Sequence, residues 1–537
     1  MTGVWKINMT CRPWLLIMAP LGVFWAYAVF VIDPAYWHSP HEVANLSLGH
    51  ALNIDQWLEH VGKGRRSHFN LYVHPGVPFQ LLSWAVYRLS DPFGFLPAQE
   101  LMVKTLTDPQ AFYLLSRSAC LVMTGSAIYL LLRRLPEAPL PIALAIGFSI
   151  FAYQPVWQYS LLLLNNQSFG PLAAVIFFVA GLRALESVDA GRRSPWVLFG
   201  FIAAVSYTIE MEYFSWTLAA GAGLLAALMV RRLTLRQAMV FGGFFLLGFA
   251  LGLELASLIM DGKFTHRVIG KMFAFQVSVF LDPESLGTAP TGLGLTALIR
   301  GAWFPAATAF GLFMVIGAAL IIRLRQGRSD PSFLGWAAPP AVIVLTVFAL
   351  GIVAYVKLPN PKYLVSSVSF IPVGLYWLYR CGGAATVKAL ALPVLALAAV
   401  AMVREADVER LAKKEEAALI DDRRRILALP LAPGQKRLWT YRMRMPEYGT
   451  RLTIQWSAVR SYDSLVDDRL FPDDSEYNIW RGGVRINNVW HSLKDIDWRY
   501  AVFNRTNDIQ GLPEEFREST ADLIQLDKVT VAVSRNR

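Results

Sequence analysis

The residues best suited to chemistry stand where long apolar runs stop. Asp33 closes the first run, in VIDPAYWHSPHEVANLSLGHAL, and His41 and Glu42 follow shortly after it. Glu210 and Glu212 close another run, in YTIEMEYFSW. Ionisable groups at a membrane boundary are costly to place and tend to be kept for function. The plainer alternative is a helix-end charge resting among lipid headgroups. Cations stand at comparable boundaries. Arg117 opens LLSRSACLVMTG, Arg267 lies between Lys263 and Lys271, and Lys357 and Lys362 share VKLPNPKYL, a connector stiffened by Pro359 and Pro361. A cation fixed between two spans can clamp a lipid phosphate; a long basic side chain can equally snorkel to headgroups.

Histidine is concentrated in the same early stretch, with His38, His41, His68 and His74. Their spacing does not form the HExxH pattern that puts two ligands on one helical face, so no metal site is assigned. His74-Pro75 reads instead as the entry to a short helix. Asp495 and Asp497, in SLKDIDWRYAVF, read as a turn entering a buried strand. Cys11, Cys120 and Cys381 show no pairing pattern, which argues against disulfides and a thiolate metal site.

The elements that must carry these residues are membrane helices. Hydrophobic residues make up 55% of the 537-residue chain and charged residues 17%, below the roughly 25% usual in soluble domains. The mean hydropathy is +0.40. The net charge of +11 sits in short clusters between apolar spans, which fits membrane orientation and not nucleic-acid binding.

A crossing helix needs about 20 largely apolar residues. Candidate spans are 14–32, 111–132, 138–155, 168–185, 195–211, 213–230, 237–260, 303–322, 333–355, 364–379 and 386–403, eleven in all. The first apolar run is longer than a signal-peptide core and reads as an uncleaved helix. Segment 75–90, HPGVPFQLLSWAVYRL, is short and begins with two prolines. If it does not cross, Arg133-Arg134, Arg192-Arg193, Arg231-Arg232 and the clusters at 323–328 and 380–388 all face the cytoplasm. This reading makes 75–90 a juxtamembrane or re-entrant helix, with the N-terminus cytoplasmic and the C-terminal domain periplasmic in a bacterial inner membrane.

The domain expectation is a transmembrane part over 1–403 with a large outer loop at 33–110, a charged helical linker at 404–427, and a soluble extracytoplasmic domain at 428–537. Outer segments are long and cytoplasmic ones short, so chemistry is expected outside. Within the first loop, 40–60 has the spacing of an amphipathic interfacial helix. In the last domain RLWTYRMRM, RLTIQWSAV, YAVF and KVTVAVS read as strands. The expected fold is an all-α polytopic membrane domain of about eleven helices plus a C-terminal α/β or mostly β domain.

The order of these features resembles the glycosyltransferase-C superfamily, which includes protein O-mannosyltransferases and the aminoarabinose transferases of lipid A. HEVANLSLGHAL is similar to the family's acidic first-loop motif, and HPGVPFQLLSWAVYRL to its His-Pro-Pro helix. SRSACLVMTGSAIYLLLRRL resembles its Arg-led span, and KYLVSSVSFIPVGLYWL its late Arg-Tyr segment. The likeness covers most of residues 14–380. Two departures stand out: the family's catalytic Asp falls at His41, with Glu42 beside it, and its second acidic position falls near Asn166-Gln167.

The resemblance implies a glycosyltransferase-C-like membrane fold and an inverting transfer of sugar from a polyprenyl-phosphate donor to an extracytoplasmic glycan, lipid or protein. Asp33 or Glu42 would take the acceptor proton, with His41 at the family's catalytic position. Lys362, with Lys357 or Arg267, would hold the lipid phosphate. Arg117, His74, Glu210 and Glu212 are the further substrate-binding candidates. Some relatives use a divalent metal, though no residue set here demands one. The expected partners are the lipid-linked donor, membrane lipids and the acceptor. The alternatives are a transporter or flippase of lipid-linked glycans, and a non-catalytic glycan-binding scaffold.

Overall fold

The computed structural model describes residues 11–32, 48–55, 58, 77–209, 213–261, 303–357, 364–440, 469–478, 482–486, 489–504 and 509–535. The chain divides into two compact units. One holds Met1–Tyr27, Val73–Phe79 and Arg117–Ala406; the other holds Ala28–Tyr72, Gln80–Ser116 and Asp407–Arg537.

Among the described residues seven helices are long and apolar enough to cross a membrane: Pro13–Ile32, Gln110–Leu132, Asn166–Glu186, Leu235–Ile259, Phe304–Gln326, Pro331–Val356 and Ala384–Leu427. The chain is a multi-pass integral membrane protein. Helices are numbered here as α1 (Cys11–Ala26), α2 (Val77–Leu89), α3 (Ala98–Thr107), α4 (Gln110–Leu132), α5 (Leu140–Phe148), α6 (Gln154–Trp157) and α7 (Gly170–Glu186). They continue with α8 (Ser194–Ile209), α9 (Phe214–Met229), α10 (Leu235–Asp261), α11 (Trp303–Gln326), α12 (Pro331–Lys357), α13 (Val365–Val368), α14 (Ile371–Arg380) and α15 (Ala384–Leu427).

The remaining four of the eleven expected spans are helical but differ in form. The third is a pair, Leu140–Ala152 and Gln154–Leu162, bent by 91°. Pro155 explains the break: it has no N–H to donate, and its ring would collide with the carbonyl four residues back. Tyr153 is accordingly extended and Pro155 takes the first turn of the next helix. Pro372 acts likewise in the tenth, where α13 stops at Val368 and α14 starts at Ile371. The fifth and sixth, α8 and α9, have 16 residues each. Segment 75–90 contains α2, whose 13 residues are too few to cross.

Close helix approach is written in glycine. A Cβ on Gly200 would lie 1.9 Å from the Phe245 carbonyl oxygen, and one on Gly248 1.9 Å from that of Val197. Only a residue without a side chain lets α8 and α10 pack backbone to backbone.

Several arginines of the clusters have structural work at helix ends. Pro339 leaves the Gly335 carbonyl without its helical donor, and Arg232 Nη1 donates to that oxygen at 3.0 Å. Arg232 Nη2 donates to Leu185 O, also at 3.0 Å, in the last turn of α7. Arg323 Nη2 donates to Gly382 O at 2.6 Å, just past α14. Two of the connectors that carry arginine clusters, those of Arg232 and Arg323, thus supply donors to carbonyls of neighbouring helices and connectors.

The second unit contains a seven-stranded mixed sheet of order β4-β3-β2-β1-β5-β7-β6. The strands are β1 (Lys436–Thr440), β2 (Asp474–Asn478), β3 (Gly483–Ile486), β4 (Val489–Ser492), β5 (Trp498–Asn504), β6 (Thr520–Gln525) and β7 (Val529–Ser534). β1 is parallel to both β2 and β5, and the outer pairings are antiparallel. Side chains alternate between two cores. Trp439, Tyr500, Val502, Val529 and Val531 face Ile426 and Leu419 of α15. Leu438, Ala501, Phe503 and Ala532 face the other way, onto Phe516. Sheet and cover together make the soluble domain α/β.

Candidate functional site

α4 presents the described part of the candidate site. Arg117 lies seven residues past Gln110 and is buried, 7% exposed. A guanidinium enclosed by protein inside a membrane helix is a functional candidate by its cost alone. One turn later comes buried Cys120, and one turn beyond that Thr124 Oγ1 donates to Ser160 O at 2.9 Å. This bond ties α4 to the π-helical turn Gln158–Leu162 that follows the 91° break.

The next segment is polar and buried. Asn165 Oδ1 accepts from Gln167 N at 2.6 Å and Ser168 N at 3.2 Å. Ser168 Oγ accepts from Asn165 N at 2.9 Å and donates to Leu163 O at 2.7 Å. This reciprocal capping box starts the 3-10 turn Asn166–Phe169 that leads into α7. At the position where the resemblance expected a second carboxylate, the sequence therefore carries a helix cap. Gly170 follows, so close to Ser369 Oγ and Tyr213 OH that a Cβ there would lie 2.7 and 3.0 Å from them. Tyr213 stacks on Trp216 with ring centroids 4.3 Å apart and planes 7° apart. The seam of Thr124, Ser160, Asn165, Ser168, Tyr213 and Ser369 lines one region of the first unit with hydroxyl and amide groups.

A carboxylate enters this unit from a distant part of the chain. On α15 the buried stripe runs Ala391, Val394, Ala398 and Ala401, and its next position is Glu405, 2% exposed. Gln154 Nε2, immediately after the break, donates to Glu405 Oε2 at 3.2 Å. Beside it the Arg404 guanidinium lies 4.4 Å over the Phe304 ring. By sequence Glu405 belongs to the charged helical linker at 404–427. The signal for its burial was the helical spacing, which continues the alanine stripe without interruption. Glu254, half-buried in α10, is a second carboxylate inside a membrane helix that the sequence reading passed over.

Of the residues expected at the site, Asp33, His41, Glu42, His74, Glu210, Glu212, Arg267 and Lys362 lie outside the described residues. Lys357 ends α12, and its side chain is likewise outside them. Their flanks are described. The helical turn Tyr27–Ile32 ends just before Asp33, α2 begins three residues past His74, and α8 ends immediately before Glu210. Among the described residues no three His, Cys, Asp or Glu side chains converge as a metal site.

No protein-family model and no curated protein matches the chain. Among solved structures it is similar to the Archaeoglobus fulgidus oligosaccharyltransferase in its apo form. That likeness has 12% sequence identity and a TM-score of 0.43, and covers 94% of this chain and 70% of that one.

Proposed function

We propose that this protein is a membrane glycosyltransferase that takes its sugar from a polyprenyl-phosphate donor. The acceptor is an extracytoplasmic glycan, lipid or protein. The observation that carries this reading is Arg117: a permanent cation, buried in the membrane unit, on the span that resembles the family's Arg-led helix. An anion brought to such a site is held strongly because water screens it little.

In this reading the acceptor hydroxyl attacks the anomeric carbon and its proton passes to Asp33 or Glu42, with His41 adjacent. The bond between that carbon and the phosphate oxygen breaks with inversion. The lipid phosphate leaves with added negative charge, which Arg117, Lys357, Lys362 and Arg267 neutralise. His74, Glu210 and Glu212 hold the sugar. Residues 1–403 form the membrane part, 404–427 the linker and 428–537 an extracytoplasmic domain, with the N-terminus in the cytoplasm of a bacterial inner membrane.

The test is sugar transfer from a radiolabelled polyprenyl-phosphate sugar by the purified full chain in lipid. Loss of the base is expected to slow transfer by about 10²- to 10⁴-fold, in Asp33→Ala or in Glu42→Ala. If both variants transfer at the wild-type rate, the mechanism is wrong. The 91° break supports a second reading, transport of a lipid-linked glycan, since broken helices serve transporter sites. Movement of that glycan across sealed vesicles without acceptor, at a rate that Asp33→Ala and Glu42→Ala leave unchanged, would favour transport.

A further inference from the structure

Three connectors of the first unit turn on the same pair of backbone hydrogen bonds. After α9, Arg232 N donates to Ala227 O at 2.9 Å and Arg231 N to Leu228 O at 3.0 Å. After α14 the pair is Gly383 N to Leu378 O and Gly382 N to Tyr379 O. Just beyond α7 it is Arg192 N to Ser187 O and Gly191 N to Val188 O. Such a turn needs one residue in the left-handed conformation, usually glycine. Gly191 and Gly382 fill that place with φ of +61° and +83°. In the third turn it is filled by Arg231, φ +59°, the one non-glycine residue with a positive φ among the described residues. A Cβ crowds the backbone there, so Arg231 carries strain that its two counterparts avoid.

The ordinary uses of an arginine do not ask for this position. Membrane orientation counts the charge in a connector wherever it stands, and a helix C-terminus attracts a cation anywhere in the last turn. Strain kept at one residue points to a use for that residue. The turn is also rigid. Arg232 bonds inward to Leu185 O and Gly335 O, and Thr234 and Gln237 cap α10 reciprocally at 2.9 and 3.2 Å. Arg232 thereby joins the α9–α10 connector to the one after α7, which carries Arg192. Among the described residues, exposed Arg192, Arg231 and Arg236 have no side-chain hydrogen bond or ion pair. The Asp189 carboxylate lies 3.8 Å from Arg232 and answers none of the three.

The surface beside these cations is apolar. Leu225 and Met229 are exposed on α9, leading to Arg231, and Leu235 and Met239 are exposed on α10 beside Arg236. A free phosphate could meet the charges, but only an anion with acyl chains also covers that surface. We propose that this end of the first unit is a binding site for an anionic phospholipid. Its phosphate is held by Arg231 with Arg192 and Arg236, and its chains lie along α9 and α10. The site does not depend on the reaction proposed above.

The test is native mass spectrometry of the full chain in an uncharged detergent, titrated with phosphatidylglycerol or with phosphatidylcholine of the same chains. The wild type is expected to retain phosphatidylglycerol several-fold better. Arg231→Gly should remove most of that preference, whereas Arg133→Gln, which deletes an exposed charge from the α4–α5 connector, should keep it. Without added lipid, Arg231→Gly should melt no lower than the wild type, because glycine relieves the strain. Equal retention of the two lipids overturns the proposal, as does equal loss in the two variants, which would mean attraction by charge alone. A lower melting midpoint for lipid-free Arg231→Gly assigns the arginine to the fold and overturns it too. Inorganic phosphate that displaces phosphatidylglycerol and protects the chain equally well would make the ligand a free anion and reject the lipid.

Discussion

Arg117 and Glu405 show what a single buried charge asks of its surroundings. Arg117 sits within a membrane helix and Glu405 midway along another, both nearly removed from solvent. Replacing Arg117 by Ala is expected to weaken donor binding by at least about tenfold, as loss of a charged hydrogen bond of about 1.5–3 kcal/mol implies. Arg117→Lys, which keeps the charge without the fork, should recover part of that loss. Donor KM in the transfer assay, set beside kcat, reads this out. A different charge pair works in the sheet. Arg437 Nε donates to Asp474 Oδ1 at 2.8 Å, both residues are buried, and Trp439 Nε1 donates to the same oxygen at 3.0 Å. Asp474→Ala strands the guanidinium and is expected to cost about 3–5 kcal/mol. Hydrogen exchange at β1 and β2 in the full chain should rise accordingly. Arg437→Met together with Asp474→Leu should restore protection, because an apolar pair leaves no charge unmatched.

Among the elements, α8 and α10 have the tightest join. Gly248→Leu puts carbon atoms where the Val197 carbonyl already stands, so the helices must separate. A loss of at least about 1–3 kcal/mol is expected, visible as a lower thermal midpoint in detergent, while Gly243→Leu, at a site with open space, should leave the midpoint near wild type. The cap at Asn165 belongs to this scale as well. Asn165→Ala removes the acceptor of two backbone N–H groups and should cost about 1 kcal/mol, measurable in the same melt. Helical segments were legible throughout the membrane part because apolar runs long enough to cross a bilayer have little other use. Their breaks were less so. Pro155 and Pro372 were visible in the sequence, but Pro339 and Pro340 sit inside α12 without ending it. What differs is outside help: Arg232 supplies the missing donor to Gly335, and nothing local to residue 335 announces that.

At the scale of the whole chain, α15 runs unbroken for 44 residues. At 1.5 Å per residue it is about 66 Å long, twice the roughly 30 Å hydrocarbon core, so about half of it lies outside the membrane interior. Its far end is built into the sheet unit, where Asp422 accepts from Asp527 N at 3.1 Å and Lys528 N at 2.7 Å. Asp422→Ala leaves two amides without that acceptor. Exchange at Asp527 and Lys528 should accelerate, by a factor set by the roughly 1–3 kcal/mol such a group is worth, with membrane helices unaffected.

The sequence by itself determined the membrane class, the helical segments, the short α2 and three strands, while the fourth strand reading, RLTIQWSAV, lies outside the described residues. RLWT, YAVF and VTVAVS read as strands because both faces are buried and both must be apolar. Hydrophobicity is local, so a local pattern reveals it. β2, with the sequence DSEYN, gave no such signal, though four of its five residues are buried. Its Asp474 is tolerated only because parallel pairing sets Arg437 opposite it, 37 residues away in the chain. Glu405 is the same case: its partner Gln154 is 251 residues distant. Charge burial is decided by a partner, and partners are brought together only by tertiary structure.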